Sequence, residues 1–331
     1  MVDFKQRVEK LQKKMKVDCV ILAQFNHPEA DSYYYSGVTE PFLAYVGKEK
    51  SVAFTDADEH GSQFDEVLPL KKAKGSYNVF FKKNKVKTVG MNFSTEANRV
   101  GFKLLEGGKI KAKDYSDEFD ALRSRKDEQE QRLIRKAQEM TKKTVEEAKQ
   151  GGFEGKTENE LAGFLEFSCR KKGFALDSFP PIVATGENAA TPHAIPSNDK
   201  VKETVLIDCG ATCKLYHADY TTTEYWGKGK EMKDAVEAVW EAKKAAERKA
   251  KVGTSGKTIS NIAEKVIAEY GFGAHSFRKA RLSLGHSVGL KVHDGFRVDD
   301  VKLEKGMVFT IEPGIYVPKR FGVRFEDVVF L

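Results

Sequence analysis

Four carboxylates stand inside runs that otherwise read as buried β-strand: Asp208 in VLIDCG, Asp219 in HADYTTT, Glu312 in VFTIEPG and Glu326 in GVRFED. Burying a carboxylate without compensation is costly, so four of them in apolar strands constrain any fold the chain can adopt. The flanking runs form two candidate hairpins, 205–210 with 217–226 and 307–317 with 323–331. The first can set Asp208 opposite Asp219, and the second Glu312 opposite Glu326. Anions drawn together in this way repel unless cations hold them, and two divalent ions would cancel four carboxylate charges. GHSVGLKVHD adds His286 beside Gly285, where a backbone can approach a partner closely, and His293 seven residues on; HAIPSN adds His193. Taken singly, each acid is better read as ending a strand or pairing with a basic residue. The matched set, with a glycine-flanked histidine between the hairpins, favours a metal centre.

The 331 residues suit about two domains at roughly 150 residues each, with ample material for a buried core. Phe4, Val8, Leu11 and Met15 recur at helical spacing and predict an opening amphipathic helix. Strands are expected over 17–25 and around 43–46, 51–55 and 88–92, with helix near 95–105, which makes residues 1–122 a small α/β domain. One charged helix is expected across 122–150, stopped by Gly151 and Gly152, and the domain boundary falls near its start. Beyond it, Thr157 with Glu160 forms a capping box for a helix ending before Gly173. Met232, Val236, Val239 and Trp240 mark the apolar face of another helix, and Ile259, Ile262, Val266 and Tyr270 that of the next. Two halves, each a helix followed by acid-bearing strands, point to an old internal duplication.

Composition removes several classes of function. A net charge of +7 on a chain with 32% charged residues neither requires nor excludes an anionic partner. Lys71, Lys72, Lys74, Lys82, Lys83, Lys85 and Lys87 flank Val79, Phe80 and Phe81 without a nucleic-acid recognition motif, so a solvated surface is expected and no nucleic-acid partner. No run reaches the roughly 18 apolar residues of a membrane span, and the N-terminus lacks a signal-peptide pattern, so no membrane association is expected. Cys19, Cys169, Cys209 and Cys213 are too sparse for a disulfide scaffold and suit a reducing compartment. Cys209 and Cys213 read as small buried hydrophobes rather than metal thiolates. His217 and His275 are candidates for the pocket border, whereas His27 and His60 read as surface residues.

Together, FPPIVATGENAATPHAIPSN, VLIDCGATCKLYHADYTTT, LGHSVGLKVHD, GMVFTIEPGIY and GVRFED resemble the pita-bread metallopeptidases, in particular their Xaa-Pro dipeptidase (prolidase) and aminopeptidase P branch. The resemblance is strong over about 125–331 and looser before it. It implies a creatinase-like N-terminal α/β domain, 1–122, and a pita-bread catalytic domain, 123–331, an α+β architecture overall. It further implies that Asp208 chelates one metal, His286 and Glu312 the other, and that Asp219 and Glu326 bridge both. Peptide hydrolysis by a hydroxide bridging two divalent ions (Mn, Co, Fe or Zn) is the implied chemistry, with Glu312 taking the water proton and His193 and His293 serving substrate and leaving group. Arg297 would meet the substrate carboxylate, Arg324 would support the cluster, and Thr222 or a neighbouring threonine would steady the bridging acids. The implied protein is a cytoplasmic homodimer acting on small Xaa-Pro peptides, with a further strand or tail expected beyond Leu331. Longer peptides with proline second, and a non-catalytic scaffold, remain the alternatives.

Overall fold

The computed structural model describes residues 3–57, 63–95 and 110–331, and the chain divides into two compact units, Met1–Arg123 and Ser124–Leu331. In the first unit the expected opening helix is α1 (Phe4–Lys14), its N-terminus capped by Asp3, which accepts the Gln6 amide at 2.9 Å. Six strands follow: β1 (Cys19–Gln24), β2 (Phe42–Gly47), β3 (Ser51–Thr55), β4 (Glu66–Leu68), β5 (Thr88–Met91) and β6 (Lys111–Asp114). They form one mixed sheet in the order β4-β3-β2-β1-β5-β6, antiparallel among β1, β2 and β3 and parallel at the remaining junctions. Every residue of β1, β2 and β3 is buried, which explains why these runs are apolar without alternation. The unit also contains α2 (Ala30–Ser36), α3 (Ser76–Lys83) and α4 (Ser116–Arg123). The expected surface lysines are exposed around α3 while Phe81 is buried, and His27 is exposed. The helix expected near 95–105 lies outside the described residues from 96 onward, as does His60.

The single helix expected over 122–150 is interrupted near its start. α4 stops at Arg123, and α5 (Glu128–Gln150) starts afresh from a capping box in which Asp127 accepts the Glu130 amide and Glu130 accepts the Asp127 amide, both at 2.9 Å. Between them the backbone is drawn out by pairing: Arg125 bridges Met307 and the Lys126 amide donates to the Gly306 carbonyl at 2.7 Å. The second capping box, Thr157 with Glu160, opens α6 (Glu158–Lys171) as the sequence predicts.

β7 (Ile182–Ala184), β8 (Thr204–Cys209) and β11 (Tyr220–Tyr225) form a three-stranded sheet in the order β11-β8-β7. The chain between β8 and β11 folds into its own hairpin, β9 (Thr212–Cys213) and β10 (Tyr216–His217). Two helices follow, α7 (Lys230–Lys249) and α8 (Gly256–Glu269). Their buried faces overlap the expected ones in part: Met232, Val239 and Ile259 are buried as expected, and alanines complete the faces. α7 buries Ala235, Ala238, Ala242 and Ala246 and leaves Trp240 exposed; α8 buries Ile259, Ala263 and Ile267 and leaves Tyr270 exposed. Small alanines let two helices pack closely, and the larger side chains are displaced to the rim of that seam. The C-terminal strands make two ladders rather than one hairpin: β12 (Val308–Ile311) with β15 (Asp327–Phe330), and β13 (Gly314–Val317) with β14 (Phe321–Arg324). The break between them falls at Glu312-Pro313 on one side and Phe325-Glu326 on the other, where two of the four acids sit.

Candidate metal centre

Strand register decides where the acids meet. β8 pairs β11 with Asp208 opposite Thr221, so Asp219 is not directly across from Asp208 as expected; it lies two residues further along, which keeps it on the same face. The offset arises because the β9–β10 hairpin consumes residues of the connection. The β12–β15 ladder ends at Ile311 opposite Asp327, so Glu312 and Glu326 are the next facing residues. His286 arrives on a loop stitched to β12: its amide donates to Thr310 Oγ1 at 3.1 Å and its carbonyl accepts the Thr310 amide at 2.8 Å. This contact requires Gly285, since a Cβ there would overlap the Thr310 carbonyl oxygen.

Arg324 is the cation the sequence analysis placed beside the cluster, and it is fully buried. Nη2 contacts Asp208 Oδ2 at 2.6 Å, Nε donates to Thr221 Oγ1 at 3.1 Å, and Nη1 donates to Tyr316 Oη at 2.9 Å and to the Pro192 carbonyl at 3.0 Å. Of Thr222 and its neighbours, Thr221 holds one of the four acids: it donates to Glu326 Oε2 at 2.7 Å, whereas Thr222 lies on the other strand face and donates to Glu224. Thr310 supports the fourth acid, donating to Glu312 Oε1 at 3.3 Å.

One guanidinium cannot compensate four ionised carboxylates in a buried site, so protons or metal cations must supply the rest. The donor set is shaped accordingly. Asp208 Oδ1, Asp219 Oδ1 and Glu326 Oε1 are buried and have no hydrogen-bond partner among the described residues. His286 Nδ1 faces the Val292 carbonyl at 3.0 Å, which assigns the ring proton to Nδ1 and leaves Nε2 as an acceptor. That acceptor nitrogen lies 3.3 Å from Glu312 Oε1 and 3.5 Å from Asp219 Oδ2, an arrangement of lone pairs that a proton or a metal cation between them makes favourable. Ligand atoms of Asp219, His286 and Glu326 all lie within 4.8 Å of one another. Orphaned oxygens, an oriented imidazole and no thiolate fit divalent first-row metals.

The electrostatics agree. Burial, then the neighbouring carboxylates, hold Asp219 and Glu326 well above the usual carboxylate range; burial pushes Glu312 up to about 7. Burial also pulls His286 down to about 4, so its ring is neutral at neutral pH. A carboxyl whose folded pKa is raised contributes stability that is complete below its unfolded pKa and is lost as pH rises through the folded one. A histidine depressed from 6.5 to about 4 contributes above 6.5 and loses that contribution toward 4. Above pH 6.5 the carboxyls of this cluster still change while His286 does not, so their contribution to the stability of the metal-free protein should fall as pH rises further, by up to about 1.4 kcal/mol per pH unit per proton. Metal uptake should expel those protons. Calorimetric titration with Mn at pH 7 in buffers of different ionisation enthalpy should register more than one proton released per chain; none released would mean the carboxyls were already ionised.

The cluster forms the floor of a cleft of about 650 Å³, the scale of a small-molecule site, whose walls include His193, His293, Arg297, Phe179, Ile195 and Leu282. The rings of His286 and His293 stand 3.9 Å apart between centroids, and burial, with His286 and His193 nearby, pulls His293 down to about 4. Arg297 sits with its backbone bridged to His286 and, among the described residues, without an ion-pair partner. The two local acids that might have occupied it are engaged elsewhere: Asp294 with Lys126 at 3.3 Å, and Asp299 with Arg278 at 3.6 Å and the Leu284 amide at 2.8 Å. His217 and His275 do not line this cleft; the His217 amide donates to the Gly289 carbonyl at 2.8 Å and His275 lies in a short helical turn. Cys209 and Cys213 are buried and free, and burial raises the Cys209 thiol far above its ordinary range.

Sequence reasoning missed one strut. Lys126 and Asp294 form an ion pair in which neither side chain is more than 1% exposed, and Lys126 Nζ also donates to Ser287 Oγ at 3.0 Å. A Cβ at Gly289 would overlap Asp294 Oδ2, so the loop joining His286 to His293 closes over this pair only with glycine there. Removing one partner of such a buried pair typically costs about 3–5 kcal/mol, which makes the strut a structural commitment of the loop. The glycine in GHSVGL was the available signal.

Comparison with known proteins adds an independent line. Residues 132–331 match Metallopeptidase family M24. The chain is 33% identical to the Xaa-Pro dipeptidase of Pyrococcus furiosus, over 99% of this chain and 95% of that one. It superposes on the crystal structure of the prolidase from Pyrococcus horikoshii with a TM-score of 0.84 at 30% identity, covering 100% of this chain and 95% of that one. It superposes on the X-Pro aminopeptidase from Thermotoga maritima with a TM-score of 0.85 at 31% identity, covering 98% and 95%.

Proposed function

This chain belongs to metallopeptidase family M24, has its pita-bread α/β fold and is a metal-dependent peptidase, and from that premise we propose that it hydrolyses dipeptides whose C-terminal residue is proline. The observation that carries the choice of dipeptide is Arg297: a guanidinium in the same cleft as the acid cluster, left unpaired although Asp294 and Asp299 are close in sequence. A planar two-pronged donor matches a terminal carboxylate.

In this reading Asp208, Asp219, His286, Glu312 and Glu326 would hold two divalent ions, with Mn, Co, Fe or Zn all compatible with an oxygen-rich set and one imidazole. When bound, the ions would supply a water of lowered pKa and polarise the scissile carbonyl. The remaining work falls to the chain. Glu312, whose Oε1 is held by Thr310 Oγ1 at 3.3 Å, would take the proton from that water and pass it on. His193 and His293 would donate to the developing oxyanion and to the leaving nitrogen. A prolyl leaving group offers no amide N–H before cleavage, so a cleft that recognises the carboxylate instead does not depend on that contact.

A homodimer in the cytoplasm is the setting we propose; four free cysteines, all buried, suit a reducing compartment. No helix among the described residues is long and apolar enough to cross a membrane. The direct test is hydrolysis of Leu-Pro by the purified chain loaded with Mn or Co, alongside its bound-metal content. About two metal ions per chain, with activity lost on chelation and regained on reloading, is the expected result. Activity that survives metal stripping would sink the proposal.

A further inference from the structure

We propose that Glu158 is a positioning residue for this reaction, clamping both ends of the segment that carries His193 into the cleft; the inference rests on the dipeptidase reading above. Glu158 is the first residue of α6 and is completely buried. Its carboxylate accepts three hydrogen bonds, from the Thr185 amide at 2.6 Å, from Asn188 Nδ2 at 2.7 Å and from the Ser197 amide at 2.7 Å. Thr185 and Ser197 bracket the segment 186–196, so one side chain fastens its two ends and, through Asn188, its middle. Asn188 Nδ2 also donates to the Ile195 carbonyl at 3.1 Å, and His193, Ala194 and Ile195 all line the cleft.

Helix capping does not account for this carboxylate. The start of α6 is already satisfied by Thr157 and Glu160, each accepting the other's amide. Glu158 therefore spends all three observed acceptor contacts on the loop. Its position in the first turn of the helix favours the charge, and three N–H donors replace the counter-ion that a buried carboxylate normally needs. The backbone reinforces the clamp: the Glu158 amide donates to the Asp199 carbonyl at 3.1 Å, and the Asn159 amide to the Ser197 carbonyl at 3.0 Å. On the opposite side, Arg324 holds the Pro192 carbonyl, next to His193, against the acid cluster. His193 is thus suspended between the anionic floor of the cleft and a fixed helix end, while Glu158 itself does not line the cleft. Misplacing a reacting group by about 1 Å can cost on the order of a hundredfold in rate, so loosening this clamp should register in kcat.

The test uses the metal-loaded full chain with Glu158→Gln, the milder Asn188→Ala, His193→Ala and the two double variants. Amide hydrogen exchange over 186–196 should quicken in both Glu158→Gln and Asn188→Ala, with metal content unchanged. On Leu-Pro, kcat should fall about ten- to a hundredfold in Glu158→Gln and less in Asn188→Ala, with KM little altered. In the His193→Ala background neither change should lower kcat further, because groups that act through one another are not additive. Unchanged exchange in both single variants, exchange that quickens with kcat intact, or losses that multiply in the double variants would each overturn the proposal. A wild-type chain inert toward Xaa-Pro dipeptides would instead defeat the dipeptidase reading, while hydrogen exchange would still decide whether Glu158 holds the segment.

Discussion

In the Asp219→Asn variant, hydrolysis of Leu-Pro should fall at least about a thousandfold, while the metal-free protein becomes harder to melt rather than easier. The two effects share one cause. Asp219 is buried, Oδ1 has no hydrogen-bond partner among the described residues, and Oδ2 faces the acceptor nitrogen of His286 at 3.5 Å. Its backbone is held independently, since Gln138 Nε2 donates to the Asp219 carbonyl at 3.1 Å, so the substitution leaves the chain path supported. Without a metal, the carboxylate is disfavoured first by burial and then by repulsion from Glu326, Asp208 and Glu312, which is why its pKa is driven upward. The neutral amide removes that repulsion at pH 8, and each kcal/mol recovered raises the melting temperature by about 2–4 °C in a unit of this size. With Mn or Co present the order should reverse: wild type gains more from binding than the variant does. Calorimetric scans of both proteins with and without metal check this. A purely structural aspartate would lower the melting temperature of the metal-free variant, and that result would remove the physical basis of the metal assignment.

Much of this site is legible in the sequence because acids in apolar strands are an expense that local structure cannot relieve. Asp208, Asp219, Glu312 and Glu326 announce themselves by context, and His286 by the glycine that lets its backbone approach β12. What could not be read is the register of the first hairpin, although the second one faces Glu312 and Glu326 as expected. The β9–β10 hairpin shifts Asp208 from Asp219 to Thr221, and the same parity hands the supporting role to Thr221 instead of Thr222. Nor could sequence reveal which ordinary polar residues would be swallowed by long-range packing. Lys126 sits 168 positions before Asp294, and Glu158 looks like any acid in a helix's first turn, where it favours the helix without further purpose. The alanine face of α7 was hidden for a different reason. Periodicity weighted toward large side chains selects Trp240, whereas close helix packing selects the small ones.

Arg297→Ala should separate the dipeptidase from an aminopeptidase built on the same cleft. For Ala-Pro the expected loss in kcat/KM is about a hundred- to a thousandfold, on the scale of two charge-assisted hydrogen bonds to a carboxylate, and most of it should appear in KM. For Ala-Pro-Ala the terminal carboxylate lies one residue farther out, so the change should stay within a few-fold. Arg297→Lys should fall between wild type and alanine on Ala-Pro, because an ammonium keeps the charge but not the two-pronged fork. The structural case is one of reserved capacity. Lys126 already claims Asp294, and Ser283, Arg278 and the Leu284 amide claim Asp299, so neither neighbouring acid neutralises the guanidinium. The backbone beneath it is fixed by the bridge between Arg297 and His286 and by the Ser287 amide donating to the Phe296 carbonyl at 2.9 Å. That bridge ties the Arg297 end of the cleft to the acid cluster in a single register. Equal losses on Ala-Pro and Ala-Pro-Ala would mean that Arg297 holds some other part of the substrate, and the cleft would then be open to longer chains.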